Sequence, residues 1–205
     1  MTPLNAREIT EALIIDMACR NVPFIKGSPG IGKSAVVRKA GKDTGLIVLT
    51  EHMSMKEPTD VQGMPDISGE YSVFKSFENF PTEEMTVPKG TNGWLLFLDE
   101  INSASIETQA ACYSLILDRK VGSKKLHPDC YVVAAANLKT YNAIVNTQSS
   151  AMTSRMVNYE MTFDHEVFME DVVYKNNWNT VLSAYLEWKP EHAHNFVPSR
   201  AEDPY

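Results

Sequence analysis

The stretch Gly27-Ser28-Pro29-Gly30-Ile31-Gly32-Lys33-Ser34 constrains this chain more than any other part of it. It fits the pattern G-x-x-x-x-G-K-[ST]. It lies between a short apolar segment, Val22-Pro23-Phe24-Ile25, and a segment that places Val36, Val37 and Ala40 on one helical face. A strand, a glycine-rich turn and a helix in that order make a phosphate-binding loop. The glycines let the backbone curl so that its N–H groups point inward, and the helix adds the positive end of its dipole. On this reading Gly27, Ser28, Pro29, Gly30, Ile31 and Gly32 form the cradle. Lys33 reaches the β- and γ-phosphates of a nucleoside triphosphate, and the Ser34 hydroxyl ligates Mg2+.

Such a loop implies an α/β fold, and the remaining pattern agrees. Apolar runs at Leu46–Leu49, Leu95–Leu98 and Val132–Ala136 read as further strands, with a helix marked by Ile106, Ala110, Tyr113 and Leu117 between the last two. Ahead of them, Asn5 and Glu8 have capping-box spacing, and Ile9, Leu13 and Met17 recur at helical intervals, which predicts a helix from about Ala6 to Arg20. Continuous apolar strands alternating with helices predict a parallel sheet covered on both faces, with ligands at the carboxyl ends of the strands. Residues 52–93 form a long irregular stretch punctuated by proline and glycine, a length usually tied to function or to small elements. From Asp164 onward only helical signals remain, so residues 1–162 are expected to form the α/β domain and 163–205 a small helical lid. Trp178 and Trp188 in that part read as core aromatics.

Asp99-Glu100 follows the Leu95–Leu98 strand, where a buried strand has no structural use for two carboxylates. An isolated Asp-Glu pair also suits the start of a helix. Beside a phosphate loop, however, the Asp is expected to hold Mg2+ and the Glu to act as general base toward the attacking water. Asn137, at the tip of the fourth strand, either ends the strand as a turn residue or contacts the γ-phosphate and the same water.

The chain has 205 residues, enough for one good core. Its net charge of -7, without a long basic stripe, disfavours extensive nucleic-acid binding, and Lys124-Lys125 reads as a solvated turn. No apolar run reaches the length of a membrane span and no signal peptide is evident, so a cytoplasmic location is expected. Cys19, Cys112 and Cys130 lack metal-ligand spacing and read as buried or half-buried thiols. The histidines, His192 and His194 included, suggest no metal site.

Together these residues resemble the AAA+ ATPases, and among them the MoxR-like and dynein-related group. The likeness covers nearly the whole chain. It is most specific at Gly93-Trp94-Leu95-Leu96-Phe97-Leu98-Asp99-Glu100-Ile101-Asn102, which looks like a Walker B strand, with Gln109-Ala110-Ala111 and Leu117–Val121 following. Pro58–Pro65 looks like the group's Asp-x-x-Gly-x-Pro segment, and Ala135-Ala136-Asn137 like its first sensor. Resemblance also implies that Arg155 is an arginine finger acting on a neighbouring subunit, and hence a homo-oligomeric ring, usually a hexamer. It implies that residues 121–126 form a hairpin at a ring surface or pore. The second sensor arginine has a counterpart only in Pro198-Ser199-Arg200. Either Arg200 takes that role in altered form, or the lid is incomplete at Tyr205.

The resemblance implies ATP hydrolysis with Mg2+ that remodels or assembles a partner protein, often one of von Willebrand A type. Three alternatives stay open at this point: a nucleotide-gated scaffold with little turnover, a GTP-using restriction motor of McrB type, and a small-molecule kinase. The Asp-Glu pair with Arg155 suits a hydrolase better than a kinase.

Overall fold

A computed structural model gives the fold for residues 2–69, 71–77, 79–138 and 154–194. Helix α1 (Ala6–Ala18) begins at a complete capping box: the Asn5 side chain accepts from the amides of Arg7 and Glu8, and Glu8 Oε2 accepts from the amide of Asn5 at 2.8 Å. Strand β1 (Pro23–Gly27) leads into helix α2 (Lys33–Thr44), and β2 (Ile47–His52) follows. Within the irregular stretch lie a short helix α3 (Pro58–Gln62) and the antiparallel hairpin β3 (Met64–Asp66) with β4 (Val73–Lys75). Then come β5 (Trp94–Asp99), helix α4 (Ile106–Tyr113), which continues as a wider helical turn over Ser114–Asp118, and the hairpin β6 (Lys120–Val121) with β7 (Lys124–Lys125). Strand β8 (Cys130–Asn137), strand β9 (Val157–Glu160) and helices α5 (His165–Phe168), prolonged over Met169–Tyr174, and α6 (Thr180–Trp188) complete the described chain.

The main sheet has the order β2-β5-β8-β1-β9, and its pairings are all parallel. Because side chains alternate across a strand, each central strand feeds two cores. Phe24, Leu96, Leu98, Val132, Ala134 and Ala136 pack on one face with residues of α4, whereas Ile25, Leu95, Phe97, Val133 and Ala135 pack on the other with α1 and α2. This covering on both faces is why the strands are apolar throughout; each fully buried large side chain contributes about 1.5–3 kcal/mol. Gly93 immediately precedes β5 at φ +123, with any Cβ only 2.1 Å from the carbonyl oxygen of Asp129. The residue preceding β5 must therefore be glycine for that strand to lie this close to the turn before β8.

Several expectations change. The helix between β5 and β8 turns Thr108, Ala111, Cys112, Leu115 and Ile116 inward, whereas Ile106 is 67% exposed and Ala110 faces solvent. The buried row includes Thr108, whose hydroxyl donates to the carbonyl of Lys56 at 2.9 Å, so a polar residue takes a core position by finding a partner. Cys19 is exposed at the carboxyl end of α1, while Cys112 and Cys130 are buried. Trp178 and Trp188 are 39% and 72% exposed, because among the described residues only Met169, Val173 and Leu186 form a buried cluster in this part. Strand β9 lies in a stretch whose sequence pattern predicts no strand. Lys124 and Lys125 form one arm of a hairpin, as the resemblance implies, and Lys124 is paired with Glu84.

Candidate nucleotide-binding site

The loop joining β1 to α2 turns on Gly30 (φ +73) and Gly32 (φ +102), a left-handed backbone that side-chain-bearing residues rarely adopt. No side chain caps the amino end of α2, so the helix presents its first amides and its dipole to the loop's concave side. Lys33 is 8% exposed, and its ammonium donates to the carbonyls of Gly27 at 3.0 Å and Ser28 at 2.9 Å and to Asn137 Oδ1 at 2.9 Å. Burial lowers the pKa of Lys33, and the charges of Asp99 and Glu100 oppose that shift.

Strand register brings the other groups to the same rim. Asn137 stands opposite Gly27, at the carboxyl ends of β8 and β1. Asp99 ends β5, and its Oδ2 accepts from Ser34 Oγ at 3.0 Å. A hydroxyl and a carboxylate at this separation are the hard oxygen donors that Mg2+ takes, since that ion is usually bound by one or two carboxylates and keeps several waters. Glu100 follows in the left-handed region, φ 55 and ψ 36, an unusual conformation for a residue with a Cβ. That turn carries its carboxylate out of the strand direction to accept from Ser54 Oγ at 2.7 Å.

Three contributors escape sequence reasoning. Ser54 holds Glu100 but sits in the irregular stretch, where no periodicity marks it. Asn102 is 3% exposed and clasps the backbone of Asn137, donating to its carbonyl at 2.7 Å and accepting from its amide at 3.2 Å. Its place in the Asp99–Asn102 run is the one signal that pointed to it. His194 approaches the loop from beyond α6, with Nε2 3.0 Å from Ser28 Oγ.

Lys33, Ser34, Asp99, Glu100 and Asn137 thus share one rim, and Arg155 does not. Val157 pairs with Pro23 at the amino end of β1, and Arg155 precedes it by two residues. Four steps of strand, about 13 Å at roughly 3.3 Å each, separate that level from Gly27. Arg155 instead lines an exposed cleft with Arg20 and Arg119. Arg200 lies outside the described residues.

Beside the loop, a mostly apolar cavity of about 470 Å3 opens between Gly30–Gly32, α1 and the helical segment, lined by Ile31, Met161, Phe163 and Val167 among others. Its size is that of a small-molecule pocket. Among the described residues no helix is long and apolar enough to cross a membrane.

Comparison with known proteins bears on the fold. In fold the chain is similar to a candidate ATPase from Cytophaga hutchinsonii ATCC 33406, at TM-score 0.61 and 18% identity, over 86% of this chain and 53% of that one. It is also similar to NtrX from Brucella abortus in complex with ATP (TM-score 0.50, 16% identity, 84% of this chain and 41% of that one). A third likeness is to the RuvB Holliday junction branch migration motor of Thermotoga maritima (TM-score 0.51, 14% identity, 80% and 47%). The chain therefore spans about half or less of these proteins. Comparison with curated proteins gives no match. Residues 23–156, from the start of β1 to the residue before β9, match the AAA domain of the dynein-related subfamily. This chain belongs to the dynein-related subfamily of AAA domains.

Proposed function

We propose that the chain binds ATP with Mg2+ and hydrolyses it at a site completed by a neighbouring copy of itself. The observation that carries this reading is the division of the chemistry between two ends of one sheet: Lys33, Ser34, Asp99, Glu100 and Asn137 at the carboxyl rim, Arg155 beyond the amino end. An arginine so far from its own loop acts on a γ-phosphate only from the next subunit.

In this mechanism the loop amides and Lys33 hold the β- and γ-phosphates. Lys33 leaves its carbonyl partners for phosphate oxygens, and its tie to Asn137 keeps the amide beside the reacting phosphate. Ser34 and Asp99 would hold Mg2+, which supplies positive charge to the phosphate oxygens. Glu100, turned out of the strand and steadied by Ser54, takes the proton of the attacking water. The apolar cavity beside Ile31 suits a purine base.

The ring, usually a hexamer, the use of turnover to remodel or assemble a partner protein, and a von Willebrand A-type partner are carried by the family resemblance. The division into an α/β domain at 1–162 with a helical lid at 163–205 follows the helical signals from Asp164 onward, and work in the cytoplasm is part of the same proposal. The test is Glu100→Gln. It should bind ATP as the wild type does and hydrolyse it at least about 100-fold more slowly, the usual size of a general-base contribution. Turnover at the wild-type rate would remove Glu100 from the mechanism.

A further inference from the structure

The phosphate loop has a contact that neither the strand tips nor the metal-binding pair accounts for. Ser28 is 6% exposed and engages its carbonyl and its hydroxyl: the carbonyl accepts from Lys33 Nζ at 2.9 Å, and the hydroxyl is bonded to His194 Nε2 at 3.0 Å. The imidazole of His194 therefore stands beside the ammonium that attracts phosphate. It is held there by Phe163, on which it stacks at 5.2 Å with 24° between the rings. Phe163 packs on Phe168 at 5.5 Å, and Phe168 meets Trp178 edge-on at 6.0 Å and 87°. A line of four aromatic rings thus runs from the loop to the amino side of α6.

We infer that His194 is a nucleotide contact that gives up its bond to Ser28 for a phosphate oxygen and carries that change along the ring line to Trp178. The inference rests on the nucleotide reading above and adds to it a residue from the helical segment. The chemistry is consistent. In the free protein, burial and then the charge of Lys33 lower the pKa of His194, which favours the neutral ring. Phosphate charge arriving at Lys33 offsets that repulsion and favours a ring that donates. A hydrogen bond to a charged group is the stronger kind, so the exchange from a serine hydroxyl to phosphate is downhill.

The experiment uses the full chain, Mg2+ and a non-hydrolysable ATP analogue, with affinity from calorimetry and tryptophan emission recorded alongside. The wild type should bind and change its emission, and Trp178→Phe should remove the emission change while binding persists. His194→Ala should weaken binding about tenfold, the size of one charge-assisted hydrogen bond, and lose the emission change. His194→Gln, which keeps a donor, should recover part of the affinity. A His194→Gln protein whose affinity falls by the full tenfold expected of His194→Ala would mean that the imidazole serves packing alone and would overturn the inference, even if His194→Ala failed to fold. Unchanged affinity in His194→Ala, with the wild type binding normally, would overturn it too and leave the nucleotide reading standing. A wild type that binds no nucleotide would overturn both.

Discussion

Replacing Asn102 by alanine should damage the site without touching any residue that meets substrate. The side chain is 3% exposed and makes two hydrogen bonds to the backbone of Asn137, one as donor at 2.7 Å and one as acceptor at 3.2 Å. Truncation leaves the amide and carbonyl of Asn137 without those partners, at about 1–3 kcal/mol for each group left unsatisfied in a buried setting. Because Asn137 is only half-buried, water recovers part of that cost. The expected loss is then about 2–4 kcal/mol, a large share of the ~5–15 kcal/mol that stabilises a typical domain. In urea unfolding, with a slope of roughly 2 kcal/mol/M, the midpoint should fall by about 1–2 M. The carboxamide of Asn137 also loses its fixed direction toward Lys33, so nucleotide affinity should fall in parallel. A midpoint shift below about 0.3 M with unchanged affinity would refute the idea that Asn102 sets the position of Asn137.

Other expectations follow from single residues. Lys33→Ala removes the buried ammonium bonded to the loop carbonyls and to Asn137, and calorimetry should show nucleotide binding abolished while the circular dichroism spectrum is kept. Burial pushes the thiols of Cys112 and Cys130 up to about 12 while Cys19 is exposed, so a thiol reagent at neutral pH should titrate one cysteine in the native protein and three after denaturation. Gly93→Ala sets a Cβ against the backbone of Asp129 at a positive φ, and should yield little folded protein in an expression and solubility assay.

The parts of this account that are legible in the sequence are those where one physical demand excludes alternatives. A strand buried on both faces needs an unbroken apolar run, which exposes β1, β5 and β8. A phosphate cradle needs glycine at positive φ, which exposes the loop. The edge strand β9 carries neither sign: Val157-Asn158-Tyr159-Glu160 mixes polar and apolar residues and each is only half-buried, so its pairing with β1 is decided by tertiary contact. Hydrophobic periodicity points to the wrong face of α4 because Thr108 and Gln109 are buried through hydrogen bonds to the carbonyls of Lys56 and Ala104, a gain that periodicity does not record. Ser54 and His194 reach the rim from distant segments, and spacing in the chain holds no trace of such meetings. The two sensor candidates divide accordingly. Asn137 lies at a strand tip where the fold itself puts it, whereas Arg200 falls outside the described residues.

The most direct test of the composite site is Mg2+-dependent ATP hydrolysis per subunit over a wide range of protein concentration, for the wild type and for Arg155→Ala. The account predicts a specific rate that rises steeply with concentration in the wild type, as copies assemble and each lends Arg155 to its neighbour. Arg155→Ala should bind ATP normally and stay near zero at every concentration. A wild-type rate independent of concentration, or an Arg155→Ala protein that hydrolyses as fast as the wild type, would contradict a site shared between subunits.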